Sequence, residues 1–328
     1  MEYFPYNKRV ISEGTPFSGW PLPEKEKYRV HLLALGDVGS TLATGLRLMG
    51  GDVISTLGIC DLREGVPLRW EFELNQIAAP GEERFPPVEI VGIDHILDCD
   101  VFLFCASRFV PDTAVKSGDV RMAQYELNRP LAASYARMAR EKGYQGMFCV
   151  VSDPVDQLCR AALLESNRDE NGQLDGKGLS VNQVRGFGLG VMNARARYYA
   201  GKDPRFADYL TEGRAFGPHG EGLVIANSIR NYDGKLSEEL TELTKHANLQ
   251  MRELGYKPYV APALSSGALS LLACLRGEWH YSSVFLDGVF FGIRNRLTKA
   301  GCEMERLELP EALAARLKET IEKLKEVS

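Results

Sequence analysis

Apolar positions along this chain change period several times, and each change marks an element. YRVHLLAL (28–35) is a short apolar run that predicts a strand. In the GDVGSTLATGLRLMG that follows, apolar residues recur at helical spacing. VISTLGICD (53–61) predicts a second strand that ends in an acid, VEIVG (88–92) a third and DVFLFCAS (100–107) a fourth. A helix is predicted from about Val120 to Lys142, before a fifth strand in QGMFCVVSD (145–153). Strands alternating with helices imply right-handed crossovers and a mostly parallel sheet.

Beyond about residue 165 the rhythm is different. NRDENGQLDGKG (167–178) is a loop of turn formers, followed by helical stretches at 236–255 and 310–327 and a strand set near Ser282–Phe291. The last helix is amphipathic, with acids early and lysines late, as the helix dipole favours. Residues 1–28 are polar, with prolines at 5, 16, 21 and 23 around Trp20, and read as an extended arm. The expected organisation is therefore an arm (1–28), a doubly wound α/β domain (29–165) and an α+β domain (166–328).

Composition narrows the function. A chain of 328 residues with 45% hydrophobic and 25% charged residues is ordinary for a soluble globular protein. A net charge of −5 without long basic runs gives no footprint for nucleic acid or an anionic membrane. The N-terminal MEYFPYNKRV lacks a signal-peptide core, and no stretch approaches a membrane span. Seven cysteines without metal-type spacing read as free thiols in a reducing compartment, so the expectation is a cytoplasmic protein without a metal site.

Candidate chemistry lies at the strand ends. Gly36 and Gly39 stand where a phosphate-binding turn wants them, one for close approach of a pyrophosphate and one for helix–strand packing. Asp61, at the end of the second strand, is placed to accept hydrogen bonds from an adenosine ribose, which favours NAD over NADP despite the nearby Arg63. VVSDPVD (150–156) closes a strand on an Asp-Pro bond suited to a tight, even cis, turn beside the cofactor crevice. Arg195 and Arg197 are two apart in a helical stretch, so they point apart and cannot serve one carboxylate together. Arg121 opens a helix after a loop suited to closing over a ligand. His219, in GPHGEG (217–222), has no partner at helical or strand spacing, although an acid–base imidazole needs one on its second nitrogen.

In order, ALGDVGS, the CD at 60–61, RMAQYELN (121–128), VVSDPVD, GFGLGVMNARARYY and GPHGEG resemble the L-lactate/malate dehydrogenase family over about residues 29–327. The resemblance implies a Rossmann-type doubly wound parallel sheet followed by an α+β substrate domain, with NAD held by Gly36, Val38, Gly39, Asp61 and Ala106. It makes His219 the proton donor and acceptor at C2 of a small carboxylate, Arg195 the carboxylate clamp and Arg121 the group that polarises the C2 carbonyl. It also implies a homodimer or homotetramer.

Departures from that family pattern bear on activity. The family's orienting aspartate, three residues before the carboxylate arginine, is Met192 here, and the asparagine of its Asn-Pro turn is Asp153. Asn193 is next to Met192, but one residue along a helix turns the side chain by about 100°. Its first fingerprint glycine is Ala34. The paired exchange suggests that Asp153 supplies the acid to His219 from another side, for a substrate other than plain lactate or malate. The alternative is a degenerate member that binds NAD without efficient dehydrogenase activity.

Overall fold

The computed structural model describes residues 2–4, 22, 24–81, 84–108 and 119–326. Strand β1 (Glu2–Phe4) precedes the alternating region, which runs β2 (Tyr28–Leu33), α1 (Asp37–Met49), β3 (Ile54–Cys60), α2 (Val66–Asn75) and β4 (Val88–Ile90). It continues through β5 (Val101–Phe104), α3 (Asp119–Glu141), β6 (Met147–Val150), α4 (Val155–Ser166) and β7 (Val184–Gly186). Helix α5 (Leu189–Ala200), the hairpin β8 (Arg214–Phe216) and β9 (Val224–Ala226), and α6 (Gly234–Glu253) follow. The chain closes with α7 (Ser270–Leu275), strands β10 (His280–Leu286), β11 (Val289–Thr298), β12 (Gly301–Met304) and β13 (Leu307–Leu309), and α8 (Glu311–Glu326).

Among the described residues, nine strands form one sheet in the order β12-β11-β10-β7-β6-β5-β2-β3-β4. The six from β7 to β4 are parallel to their neighbours, and β10, β11 and β12 continue the sheet antiparallel. Counted along the chain from β2, the parallel strands have the order 3-2-1-4-5-6 of a doubly wound dinucleotide fold. Strands β5 and β6 are buried throughout because helices cover both faces, which is why they read as unbroken apolar runs rather than alternating ones. On one face α3 and α4 pack over Phe102, Phe104 and Phe148. On the other, α1 and α7 pack over Val30, Leu32 and Leu103.

The order reverses between β2 and β5, so a crevice opens at their C-terminal ends. The turn after β2, Ala106 after β5 and Asp153 after β6 all lie at this edge. The beginning of the arm returns to its own chain. Residues 2–4 pair antiparallel with 307–309, and Phe4 is buried edge-on to Phe216 at 5.8 Å. Residues 5–21 and 23 of the arm lie outside the described residues.

Candidate active site

The turn after β2 has the shape of a phosphate cradle. Ala34 has φ +77°, a left-handed conformation that costs an alanine about 1–2 kcal/mol and costs glycine little. A Cβ at position 39 would stand 1.9 Å from the Ala34 carbonyl oxygen, so only glycine lets α1 sit this close to β2. Gly36 caps α1 with no side-chain cap, and a Cβ there would meet nothing within 4 Å. The first N–H groups of α1 have no partner within the helix and Gly36 leaves room beside them, so an anionic pyrophosphate fits the turn by charge. Val38 is half-buried in that turn, and Ala106 is buried across the crevice, its carbonyl accepting from Ser152 Oγ at 2.8 Å.

Asp61 ends β3 beside this turn. Its Oδ2 accepts from the Leu35 N–H at 2.7 Å, and Arg63 grips both carboxylate oxygens. These donors, together with the Arg63 charge, hold the Asp61 carboxyl below its ordinary pKa against the opposing effect of burial.

The Asp153–Pro154 bond is cis, and the Asp153 carbonyl accepts from the buried Asn128 Nδ2 at 2.9 Å. Asn128 Oδ1 in turn takes the Arg108 N–H at 2.8 Å, so this amide ties α3 to the ends of β5 and β6. The turn leaves the Asp153 side chain half exposed at 48%, with Oδ1 3.0 Å from Nδ1 of His219. A carboxylate only accepts, so Nδ1 carries the hydrogen and Nε2 is left for proton exchange. The His219 side chain is 15% exposed. Its turn depends on backbone that only glycine adopts freely: Gly217 has φ +89° and Gly220 φ +133°. A Cβ at Gly188 would stand 3.1 Å from His219 Cβ, so this glycine lets the imidazole pack against the start of α5.

Sequence reasoning missed Asp156, in the first turn of α4. Its buried carboxyl accepts from Ser283 Oγ at 2.5 Å and from the backbone N–H of His219, and so anchors the His219 turn to β10. Burial pushes its pKa up to about 6, against the opposing pull of these donors and of His219. The signal was present as the second acid of DPVD, but a helix-start acid looks the same when exposed. The folded state holds this proton more tightly than the unfolded chain, where the ordinary value is 3.8, so stability falls as pH rises through that window. Asp156→Asn keeps an acceptor and loses the charge. Its melting temperature should match that of the unsubstituted protein near pH 4 and exceed it at pH 8; an equal offset at both pH values would show that Asp156 does not titrate here.

On α5, Arg195 is half-buried, and among the described residues its guanidinium has one hydrogen-bond partner, the Met192 sulfur at 3.9 Å. Burial lowers its pKa, while the charges of Tyr199 and Asp153 pull it back. Met192 is 2% exposed in the cluster of Val191, Phe206, Tyr209 and Ile225. Asn193 does not turn to His219 but accepts from the Tyr209 hydroxyl at 3.0 Å. Arg197 points away and donates to the Leu210 carbonyl. Arg121 lies in the first turn of α3, and its side chain is outside the described residues. Among the described residues no group of three His, Cys, Asp or Glu side chains could hold a metal ion.

No protein-family model matches the sequence. The L-lactate dehydrogenase of Staphylococcus haemolyticus is 22% identical over 254 residues, 75% of this chain and 73% of its own. The malate dehydrogenase of Aliarcobacter butzleri is 22% identical over 279 residues, 78% of this chain and 83% of its own. The crystal structure of the minor L-lactate dehydrogenase from Enterococcus mundtii superposes with a TM-score of 0.73 at 20% identity, covering 92% of this chain and 98% of that one. The fold agrees across nearly the whole chain, and the sequence matches span most of it. Most of the chain is thus similar in sequence to L-lactate and malate dehydrogenases, and it shares their fold.

Proposed function

We propose that the protein is an NAD-dependent oxidoreductase that moves a hydride between nicotinamide and C2 of a small 2-oxo or 2-hydroxy carboxylate. The observation that carries this reading is the 3.0 Å pair of Asp153 and His219 at the C-terminal edge of a dinucleotide-type sheet. Residues 29–165 hold the dinucleotide, with Gly36, Val38, Gly39, Asp61 and Ala106 at the cradle. Residues 166–328 bring His219 and Arg195 to the substrate. When bound, the nicotinamide supplies or accepts the hydride.

His219 exchanges a proton with the C2 oxygen through Nε2, and Asp153 fixes its tautomer and stabilises the imidazolium form. Arg195 takes the substrate carboxylate as a planar fork. Arg121 is assigned to the C2 carbonyl on family resemblance alone. A carboxylate at 153, where the family has asparagine, disfavours a neighbouring anionic substrate group and suits a cationic one, so plain lactate and malate are not the expected substrates. The two halves act in a cytoplasmic homodimer or homotetramer, as the family resemblance implies.

NADH oxidation against a panel of 2-oxo acids, some with an amino or imino group, tests this reading with His219→Ala as control. Turnover of at least one acid that His219→Ala abolishes is the expected result. Silence across the panel with measurable NADH binding would leave a nucleotide-binding protein without dehydrogenase activity.

A further inference from the structure

The acid at the end of β3 already has its full set of partners. A carboxylate offers about four lone-pair positions. In Asp61, Oδ1 accepts from the Arg63 N–H at 2.9 Å and from Arg63 Nε at 2.9 Å. Its Oδ2 accepts from the Leu35 N–H at 2.7 Å and from Arg63 Nη2 at 2.7 Å. The Asp61 side chain is 5% exposed and that of Arg63 61%. A ribose arriving at the end of β3 therefore meets a guanidinium first, with the carboxylate neutralised behind it.

Two consequences follow for a dinucleotide. Ribose hydroxyls of NAD can reach Asp61 only if Arg63 gives up part of its bidentate grip, so that contact is bought by breaking another. A 2′-phosphate has no bare carboxylate to repel it, and an arginine fork matches its oxygens. We infer that Arg63 makes this adenosine site accept NADP(H) as well as NAD(H), and that Arg63 rather than Asp61 sets the discrimination between them. This inference rests on the dinucleotide site proposed above.

Direct titration of the full chain with NADH and with NADPH, read by nucleotide fluorescence rather than turnover, is the test. The two Kd values should lie within about tenfold of each other. Arg63→Ala should weaken NADPH by about tenfold or more, the loss of a charge-assisted contact, and leave NADH unchanged or tighter. Asp61→Asn keeps an acceptor for the Leu35 N–H and releases Arg63, so it should shift preference further toward NADPH. A preference for NADH beyond about tenfold in the unsubstituted protein overturns the inference. So does an NADPH-to-NADH ratio that Arg63→Ala leaves unchanged. Loss of binding of both nucleotides in the unsubstituted protein would instead sink the dinucleotide site itself. NADH binding with NADPH excluded would sink only the role of Arg63.

Discussion

Asp153→Asn should lower kcat on the protein's own substrate by about 10³- to 10⁴-fold, the scale on which a catalytic histidine suffers when its orienting carboxylate becomes an amide. The variant keeps the size of the side chain and the backbone carbonyl that Asn128 holds at 2.9 Å. What it loses is the negative charge 3.0 Å from Nδ1 of His219. An amide can present its NH₂ group to the ring as readily as its oxygen, so the proton is no longer fixed on Nδ1, and the imidazolium formed during turnover loses its counter-charge. KM should change little, because Arg195 still offers its fork to the carboxylate, and at the half-exposed position 153 the exchange should leave the melting temperature nearly unchanged. The contrast with the family sharpens the test. Asparagine is the family's own residue at this position, so a pattern argument alone predicts that the substitution restores activity. The structure predicts the opposite, because Met192 supplies no acid to take over. Undiminished or increased turnover in Asp153→Asn would remove the dyad from the mechanism.

The pairing of Asp153 with His219 could be read in the sequence only as an exchange of residue types at two distant positions. Which face of the imidazole receives the acid depends on the cis turn at Pro154 and on the glycine-built turn around His219, both tertiary facts. The parallel sheet was far more legible. Strands such as VFLF and MFCV are buried on both faces, so local composition alone marks them. The cradle was half legible: Gly36 and Gly39 show in the pattern, while the left-handed backbone at Ala34 contradicts local preference and is imposed by packing. Asp156 was silent because burial, not identity, distinguishes it from any helix-start acid. The β1–β13 pairing was equally silent, since it joins residues about three hundred positions apart and only Phe4, buried on Phe216, hints at it. The direction of Arg197 followed from helical geometry, which separates side chains two residues apart.

Arg195→Met should move activity and stability in opposite directions. The Arg195 guanidinium is half-buried, and the described residues give it a thioether sulfur in place of a carboxylate hydrogen bond. A desolvated cation without such a partner costs stability, and the fold retains it only where something else uses it. A ligand carboxylate would complete the site with two parallel N–H···O bonds, each charge-assisted. Methionine has a similar length and no charge, and it can pack beside Met192 against the cluster of Phe206 and Tyr209. The variant should therefore melt at a temperature equal to or above that of the unsubstituted protein, while kcat/KM for a 2-oxo acid falls by about 10²- to 10⁴-fold through loss of the paired contacts. Arg195→Lys should fall between the two, since an ammonium restores the charge but not the fork. Melting scans and steady-state kinetics on the three proteins decide the matter. A variant that loses stability together with activity would show that Arg195 supports the fold, and the carboxylate site would have to be sought elsewhere on the crevice. A gain in stability with a loss of kcat/KM is the signature of a charge held in reserve for a ligand.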